Sequence, residues 1–142
     1  MLQTHEYHPP VHDRVREHSP GAVNQRIDRA ARGAVAELAT PDAIRARLAE
    51  LEREWDLDRA LIGVFSVAGS LTARAVMRSL ARRGRLGFWG LLFATQLGFL
   101  AHHAVRGWCP PVALLRRLGV RTAKEICAER VALERKLARL GV

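Results

Sequence analysis

Apolar residues recur at helical spacing through the first part of the chain. Between residues 22 and 39 they stand three or four positions apart, at Val23, Ile27, Ala30, Ala34 and Leu38. That spacing places side chains on one face of an α-helix. Thr40, Pro41 and Asp42 then predict a helix start, because Thr can cap, Pro suits the first helical position and Asp favours the positive end of the helix dipole. Residues 22–59 are therefore predicted as an amphipathic helical region.

Two further apolar stripes predict helices on either side of the middle of the chain. The stripe that continues the second helix consists of Ile44, Leu48, Leu51 and Trp55. Near the C-terminus Gly119 fits a helix stop, and Thr122 with Glu125 three positions later forms a capping box. The final helix then carries Ile126, Leu133, Leu137 and Leu140 close to one face. Residues 122–142 are predicted as an amphipathic helix that packs on a partner or lies on a headgroup region.

The pattern changes to two long apolar stretches in the middle of the chain. Residues 60–77 contain one charged residue, Arg74, and residues 86–105 contain none. Twenty helical residues span about 30 Å, the thickness of bilayer hydrocarbon, so the second stretch is the stronger candidate. The uncharged part of the first stretch is shorter, and it also fits a core helix or a re-entrant segment. With the arginine-rich residues 78–85 as a turn, the sequence predicts an all-α fold built around a transmembrane hairpin.

Small residues repeat along the second apolar stretch. Gly90, Ala94 and Gly98 stand four positions apart, the pattern that allows transmembrane helices to approach closely. This stripe predicts contact with another helix, in a homo-oligomer or in a different membrane protein.

The first 21 residues lack an apolar stripe. They contain four Pro or Gly residues and four histidines, at positions 5, 8, 12 and 18. Such a segment buries little apolar surface, so it is predicted to be a disordered arm with solvated histidines, and it does not resemble a secretory signal.

The net positive charge of the chain indicates which kinds of binding partner to expect. The chain has 23 Lys and Arg against 14 Asp and Glu, a net charge of +9, which favours nucleic acid or anionic lipid headgroups. No recognition helix, zinc finger or aromatic stacking module accompanies the basic residues, so lipid is the expected partner and nucleic acid is not. No phosphate-cradling Gly loop or paired-carboxylate site is visible, so neither a cofactor nor a catalytic activity is predicted.

Two histidines end the second apolar stretch and are weak candidates for metal or haem ligands. His102 and His103 are adjacent in sequence, so on a helix they point about 100° apart and form a poor pair for one metal. Hydrogen bonding at a membrane interface is the simpler interpretation.

Cys109 is the candidate reactive thiol. It follows Trp108, which suits a membrane interface, and precedes Pro110 and Pro111, which fix the backbone beyond the span. We expect the bend to expose the thiol, and Arg106 with the later arginines 116 and 117 to favour the thiolate. No positioned base is visible, so a structural residue is the favoured interpretation and redox or persulfide chemistry the alternative. Cys127, in the final helix, is expected to be a packing residue.

The residues that follow this cysteine form a motif similar to that of a known family. Residues 107–122 read GWCPPVALLRRLGVRT, with a C-P-x-x-x-L-L-x-x-L-G-x-x-T pattern at Cys109, Pro110, Leu114, Leu115, Leu118, Gly119 and Thr122. This pattern resembles the YgaP-like inner-membrane domain family over roughly residues 56–125, with residues 60–121 as the domain. The resemblance implies two membrane helices that tend to pair. The family's namesake arrangement adds a rhodanese sulfurtransferase domain, which this chain lacks, so that activity is not carried over.

These observations favour a small integral protein of a bacterial-type inner membrane that acts as an anchor or interaction module. Lys and Arg near the spans number nine on the terminal flanks against four in residues 78–85, which predicts cytoplasmic termini. The alternatives are a membrane-interface protein that uses the Cys109 thiol, and a soluble helical bundle with residues 86–105 as its core helix.

Overall fold

A computed structural model describes residues 7–141. Within this part of the chain all regular structure is α-helical, which confirms the all-α prediction. The seven helices are α1 (Arg14–Glu17), α2 (Gly21–Glu37), α3 (Pro41–Arg53), α4 (Leu57–Arg83), α5 (Gly87–Arg106), α6 (Pro110–Arg117) and α7 (Ala123–Arg139). We call α1, α2, α3, α6 and α7 the helical base.

Helix α7 packs against α2 and α3 around the larger apolar core of the base. The buried residues of this core are Tyr7, Ala31, Val35, Ile44, Leu51, Ala132 and Leu133. Both predicted helix starts are confirmed: the Thr40 hydroxyl accepts from the Ala43 amide, and Thr122 with Glu125 forms the complete capping box. Ile126 and Leu137 pack at the edge of the core, while Leu140 is exposed.

The second predicted helix is interrupted, contrary to the prediction that its stripe extends through Trp55. Helix α3 ends at Arg53, and Asp56 starts α4 by accepting a hydrogen bond from the Arg59 amide. Trp55 lies in the break, 54% exposed, with the Arg59 guanidinium 5.0 Å from its ring. The Asp56 carboxylate therefore starts a new helix where the apolar spacing alone predicted a continuous one, because it satisfies a backbone amide at the start of α4.

Helices α4 and α5 form the most extensive helix–helix contact in the described chain. The connection between them is residues 84–86, not the eight residues predicted, because α4 continues to Arg83. Gly84 ends α4 in the left-handed region, at φ 64°, where glycine is favoured. Between the helices, the Thr72 hydroxyl donates to the Gln96 side-chain oxygen at 2.9 Å.

The α4–α5 pair joins the base only at the end where α4 begins and α5 finishes. There Leu57, Leu61, Cys109 and Val112 are buried with Val15 in a second, smaller core. Phe65, one turn further along α4, also packs against this core, and α5 has no buried residue. Residues 86–105 are therefore not a core helix within this chain, contrary to the soluble-bundle alternative.

Among residues 7–141 one helical stretch is long and apolar enough to cross a membrane, Pro41–Arg83, which comprises α3 and α4. Only 11% of its most apolar 18 residues are buried within the protein. The sequence had instead favoured residues 86–105 as the stronger candidate, and that stretch contains the polar side chains Gln96, His102 and His103.

The N-terminal segment is ordered over residues 7–21, contrary to the prediction of a disordered arm. Tyr7 is 2% exposed in the larger core, and residues 14–17 form α1. The buried Asp13 carboxylate accepts from the Val15 amide and, at 2.7 Å, from the Thr122 hydroxyl. These polar and aromatic anchors replace the apolar stripe whose absence suggested disorder.

Candidate functional site

Cys109 lies at the start of α6, where the sequence motif places the end of the apolar stretch. The chain turns there through Gly107, at φ 69°, and Pro110 and Pro111 form the first positions of α6. The turn does not expose the thiol as predicted, since Cys109 is fully buried against the smaller core. Burial raises the pKa of the Cys109 thiol above its ordinary value, opposite to the predicted direction.

The arginines expected to favour a thiolate do not offset the burial of Cys109, and Arg117 is exposed. Arg116 is fully buried, with its guanidinium on Glu125, and Arg106 is exposed, with its backbone oxygen accepting from the Arg14 side chain at 3.1 Å. The Val112 backbone amide at the start of α6 favours the thiolate, but burial of Cys109 outweighs it and the pKa of the thiol is raised. Cys127, expected to be a packing residue, is exposed and unpaired with another cysteine.

Two histidine rings contact Trp108, those of His18 and of the candidate ligand His102. The His18 ring stacks on Trp108 with centroids 5.2 Å apart, and the His102 ring meets it edge-on at 6.4 Å. Beside them lies a cavity of about 510 Å³, lined by Thr95, Gly98, Phe99, His102, Trp108 and Pro110. This cluster is aromatic packing at the end of α5, where Trp108 suits a boundary between polar and apolar surroundings.

His102 and His103 point to different parts of the structure. The His103 Nε2 lies 3.1 Å from the Asp58 carboxylate of α4, while His102 contacts Trp108. Within residues 7–141 no group of three or more His, Cys, Asp or Glu side chains is arranged to hold a metal ion. Of the N-terminal histidines, His5 lies outside the described residues, and His8 and His12 are exposed.

A groove of about 1000 Å³ opens where the α4–α5 pair meets the base. Its charged and polar lining residues include His12, Asp13, Arg14, Glu17, Asp58, His103 and Lys124. Both signs of charge are mixed along it, and Lys124 donates to the His12 backbone oxygen across one edge. Such a mixed lining fits a polar protein segment better than an ion of one sign.

The small-residue stripe lies on the outer side of α5. Gln96 faces α4 through its bond with Thr72, whereas Ala94 and Gly98 are exposed and Gly98 has no atom within 4 Å of the position a Cβ would take. Gly90 is half-buried by Leu86 of its own helix start. Ala94 and Gly98 are therefore open to a helix of another chain.

Buried ion pairs link the helices of the base, and the sequence patterns did not predict these pairs. Arg16 bonds both Asp28, at 2.8 Å, and Glu125, at 2.5 Å. Glu125 is shared with Arg116, which also donates to Asn24 at 2.8 Å. A second buried carboxylate, Glu129, pairs with Arg47 and Arg121. The capping box identified Glu125 as a helix-start residue. The spacing of residues along the chain does not show whether an Arg–Glu pair is buried or exposed to solvent.

Comparisons with known proteins found no match to a family model, to a curated protein or to a solved structure.

Proposed function

We propose that this chain is a small integral membrane protein of bacterial inner-membrane type. In this proposal α4 and α5 cross the bilayer as a hairpin, and the helical base acts as an anchor or interaction module at one membrane surface. The observation that carries the proposal is the apolar surface of the α4–α5 pair, which no part of the described chain covers.

Large apolar side chains point outward along both helices. On α4 the exposed ones are Ile62, Val64, Val67, Leu71, Met77 and Leu80, and on α5 they are Phe88, Trp89, Leu91, Leu97 and Val105. Soluble monomers rarely expose apolar patches larger than a few hundred Å². Lipid chains would cover this surface without requiring a further protein.

The hydrogen bonds of polar groups within the α4–α5 pair are also compatible with lipid surroundings. The Thr72 hydroxyl donates to Gln96, and it also lies 3.0 Å from the backbone oxygens of Ala68 and Gly69. A polar side chain that turns toward the partner helix avoids hydrocarbon. From Ile62 to Met77 the helix rises about 22 Å, most of the hydrocarbon thickness, and Arg74 lies close enough to the far end for its guanidinium to extend toward the headgroup layer.

The resemblance to the YgaP-like family supports the same proposal through the Cys109-to-Thr122 motif, and it extends to pairing of the membrane helices. We further propose cytoplasmic termini, from the nine Lys and Arg on the terminal flanks. A redox or persulfide function gains no support from the geometry, because Cys109 is buried and burial raises the pKa of its thiol.

Membrane fractionation tests the proposal. The chain should remain in the pellet after an alkaline carbonate wash and dissolve only with detergent. Leu97→Asp should reduce the integrated fraction, because a carboxylate near the middle of α5 costs about 3 kcal/mol in hydrocarbon. Val11→Asp is the matched control, since Val11 is 84% exposed in the base. Release of the unaltered chain by carbonate would overturn the proposal.

Orientation is tested by labelling single cysteines in intact cells, in a chain with Cys127 replaced by Ser. Leu80→Cys, near the connection, should react with a membrane-impermeant maleimide, and Asp42→Cys, at the exposed start of α3, should react only after lysis. The reverse result would place the termini outside, and labelling of neither before lysis would contradict a crossing hairpin.

A further inference from the structure

Arginines line one side of α4 at the end of the pair far from the base. Arg74, Arg78 and Arg82 stand four positions apart, so they share one face of the helix over about 12 Å. With Arg83 and Trp89 they border a groove of about 430 Å³. We call this the tip groove.

The tip arginines have no carboxylate partner among residues 7–141, in contrast to the paired Arg16, Arg47 and Arg116 of the base. No Asp or Glu occurs between residues 59 and 124. Residues 74–85 hold five arginines and so a charge of +5, while the rest of the chain has 18 Lys and Arg against 14 Asp and Glu, or +4. More than half of the net charge is thus concentrated at the tip.

The local backbone holds the tip groove in place. The Ser79 hydroxyl donates to the Arg85 backbone oxygen at 2.9 Å, and the Gly84 amide donates to the Leu80 oxygen. Leu71 lies at the deeper end of the groove, and Trp89 of α5 lines it. The groove therefore combines free guanidinium groups with apolar side chains on a short, fixed connection.

We propose that the tip groove binds the phosphate of an anionic phospholipid. Guanidinium groups bind phosphate oxygens through paired, charge-assisted hydrogen bonds. Arg78 and Arg82 would hold the phosphate, Arg74 would reach it from one turn deeper, and Leu71 and Trp89 would contact the first acyl carbons. This inference rests on the proposed membrane insertion, which puts the tip at the headgroup layer opposite the base.

The groove's chemistry also fits free phosphate, so the test separates the two sources. The full chain in non-ionic detergent micelles, with Trp55→Phe and Trp108→Phe, keeps Trp89 as its one tryptophan. Phosphatidylglycerol with brominated acyl chains should quench Trp89 at lipid fractions about tenfold lower than brominated phosphatidylcholine does. Excess inorganic phosphate should leave this preference intact, because it lacks the acyl chains.

Matched variants locate the binding. Arg78→Gln with Arg82→Gln should abolish the preference for phosphatidylglycerol. Arg32→Gln with Arg53→Gln removes the same charge from exposed positions of the base and should preserve it. Native mass spectrometry of lipid retained by the chain with all three tryptophans provides a second measurement should the Trp108 replacement disturb folding.

Several results would overturn the inference. Equal losses in the two double variants would indicate a diffuse surface potential, and displacement by inorganic phosphate or by a short oligonucleotide would assign the groove to a soluble anion. Equal quenching by both lipids in a chain that still requires detergent would reject the phosphate site and leave the proposed function standing. Release of the chain by carbonate would reject both.

Discussion

Arg116 and Glu125 are both fully buried, and two hydrogen bonds of 2.6 and 2.9 Å join the guanidinium of one to the carboxylate of the other. The pair links α6, which follows the apolar helices, to the start of α7. Glu125 also accepts from Arg16 and from the Thr122 amide. This carboxylate therefore holds three segments of the base together.

Replacing Glu125 with Gln should lower the free energy of unfolding of the base by about 3–5 kcal/mol, because it leaves the Arg116 charge buried without a counter-charge. Thermal unfolding followed by circular dichroism in mild detergent measures the loss. Glu134→Gln, which breaks the exposed pair with Arg130, should leave the unfolding midpoint almost unchanged, because solvent screens that pair. Similar midpoints for the two variants would contradict a structural role for the buried pair.

Thr72→Val should weaken the contact between α4 and α5, because Gln96 loses the hydroxyl that donates to it at 2.9 Å. The expected cost is about 0.6–2 kcal/mol, the range of hydrogen bonds between membrane helices. Thr95→Val is the control, since the Thr95 hydroxyl bonds only the Leu91 oxygen of its own helix and is exposed. Unfolding in mixed micelles of increasing sodium dodecyl sulfate content compares them, and equal stabilities would show that the Thr72–Gln96 bond contributes nothing.

Cys109 should be alkylated at least about tenfold more slowly than Cys127, because reaction requires local opening of the smaller core. Cys127 is exposed and serves as the control in the same chain. Mass spectrometry of chains treated with iodoacetamide gives both rates. Rapid modification of Cys109 near neutral pH would restore the redox alternative.

The same burial predicts a pH dependence of stability. Because the folded-state pKa of Cys109 is raised, its contribution to folding is complete below the ordinary thiol pKa and is lost as pH rises through the raised value. Cys109→Ala should remove that part of the alkaline decline in the unfolding midpoint, and Cys127→Ala should leave it unchanged. An identical decline in both variants would contradict this prediction.

Gly98→Leu should reduce association between copies of the chain in membranes. The added side chain meets open space within one chain, so α4 and α5 remain packed while another helix can no longer approach closely. Leu97→Phe adds volume at an exposed site about 100° away on the same helix and serves as the control. Undiminished crosslinking of the Gly98→Leu chain would exclude the stripe as a contact.

The sequence by itself determined the helices, because helix formation depends on local spacing and capping. The Thr40 start, the Thr122–Glu125 capping box and the Gly119 stop are all present, with Gly119 at φ 93° just beyond α6. Asp56 is also a local helix-start residue, but the apolar stripe that continues through Trp55 predicted an uninterrupted helix at that point.

Only the tertiary structure decided which side chains are buried and which charges remain free. Cys109 follows a bend that suggests exposure, yet residues 15, 57 and 61, distant in sequence, enclose it. Arg116 and Arg78 are alike in the sequence, but the first meets Glu125 across a helix junction while the second has no carboxylate within reach among the described residues. Burial and ion pairing depend on contacts between distant segments, which periodicity along the chain does not record.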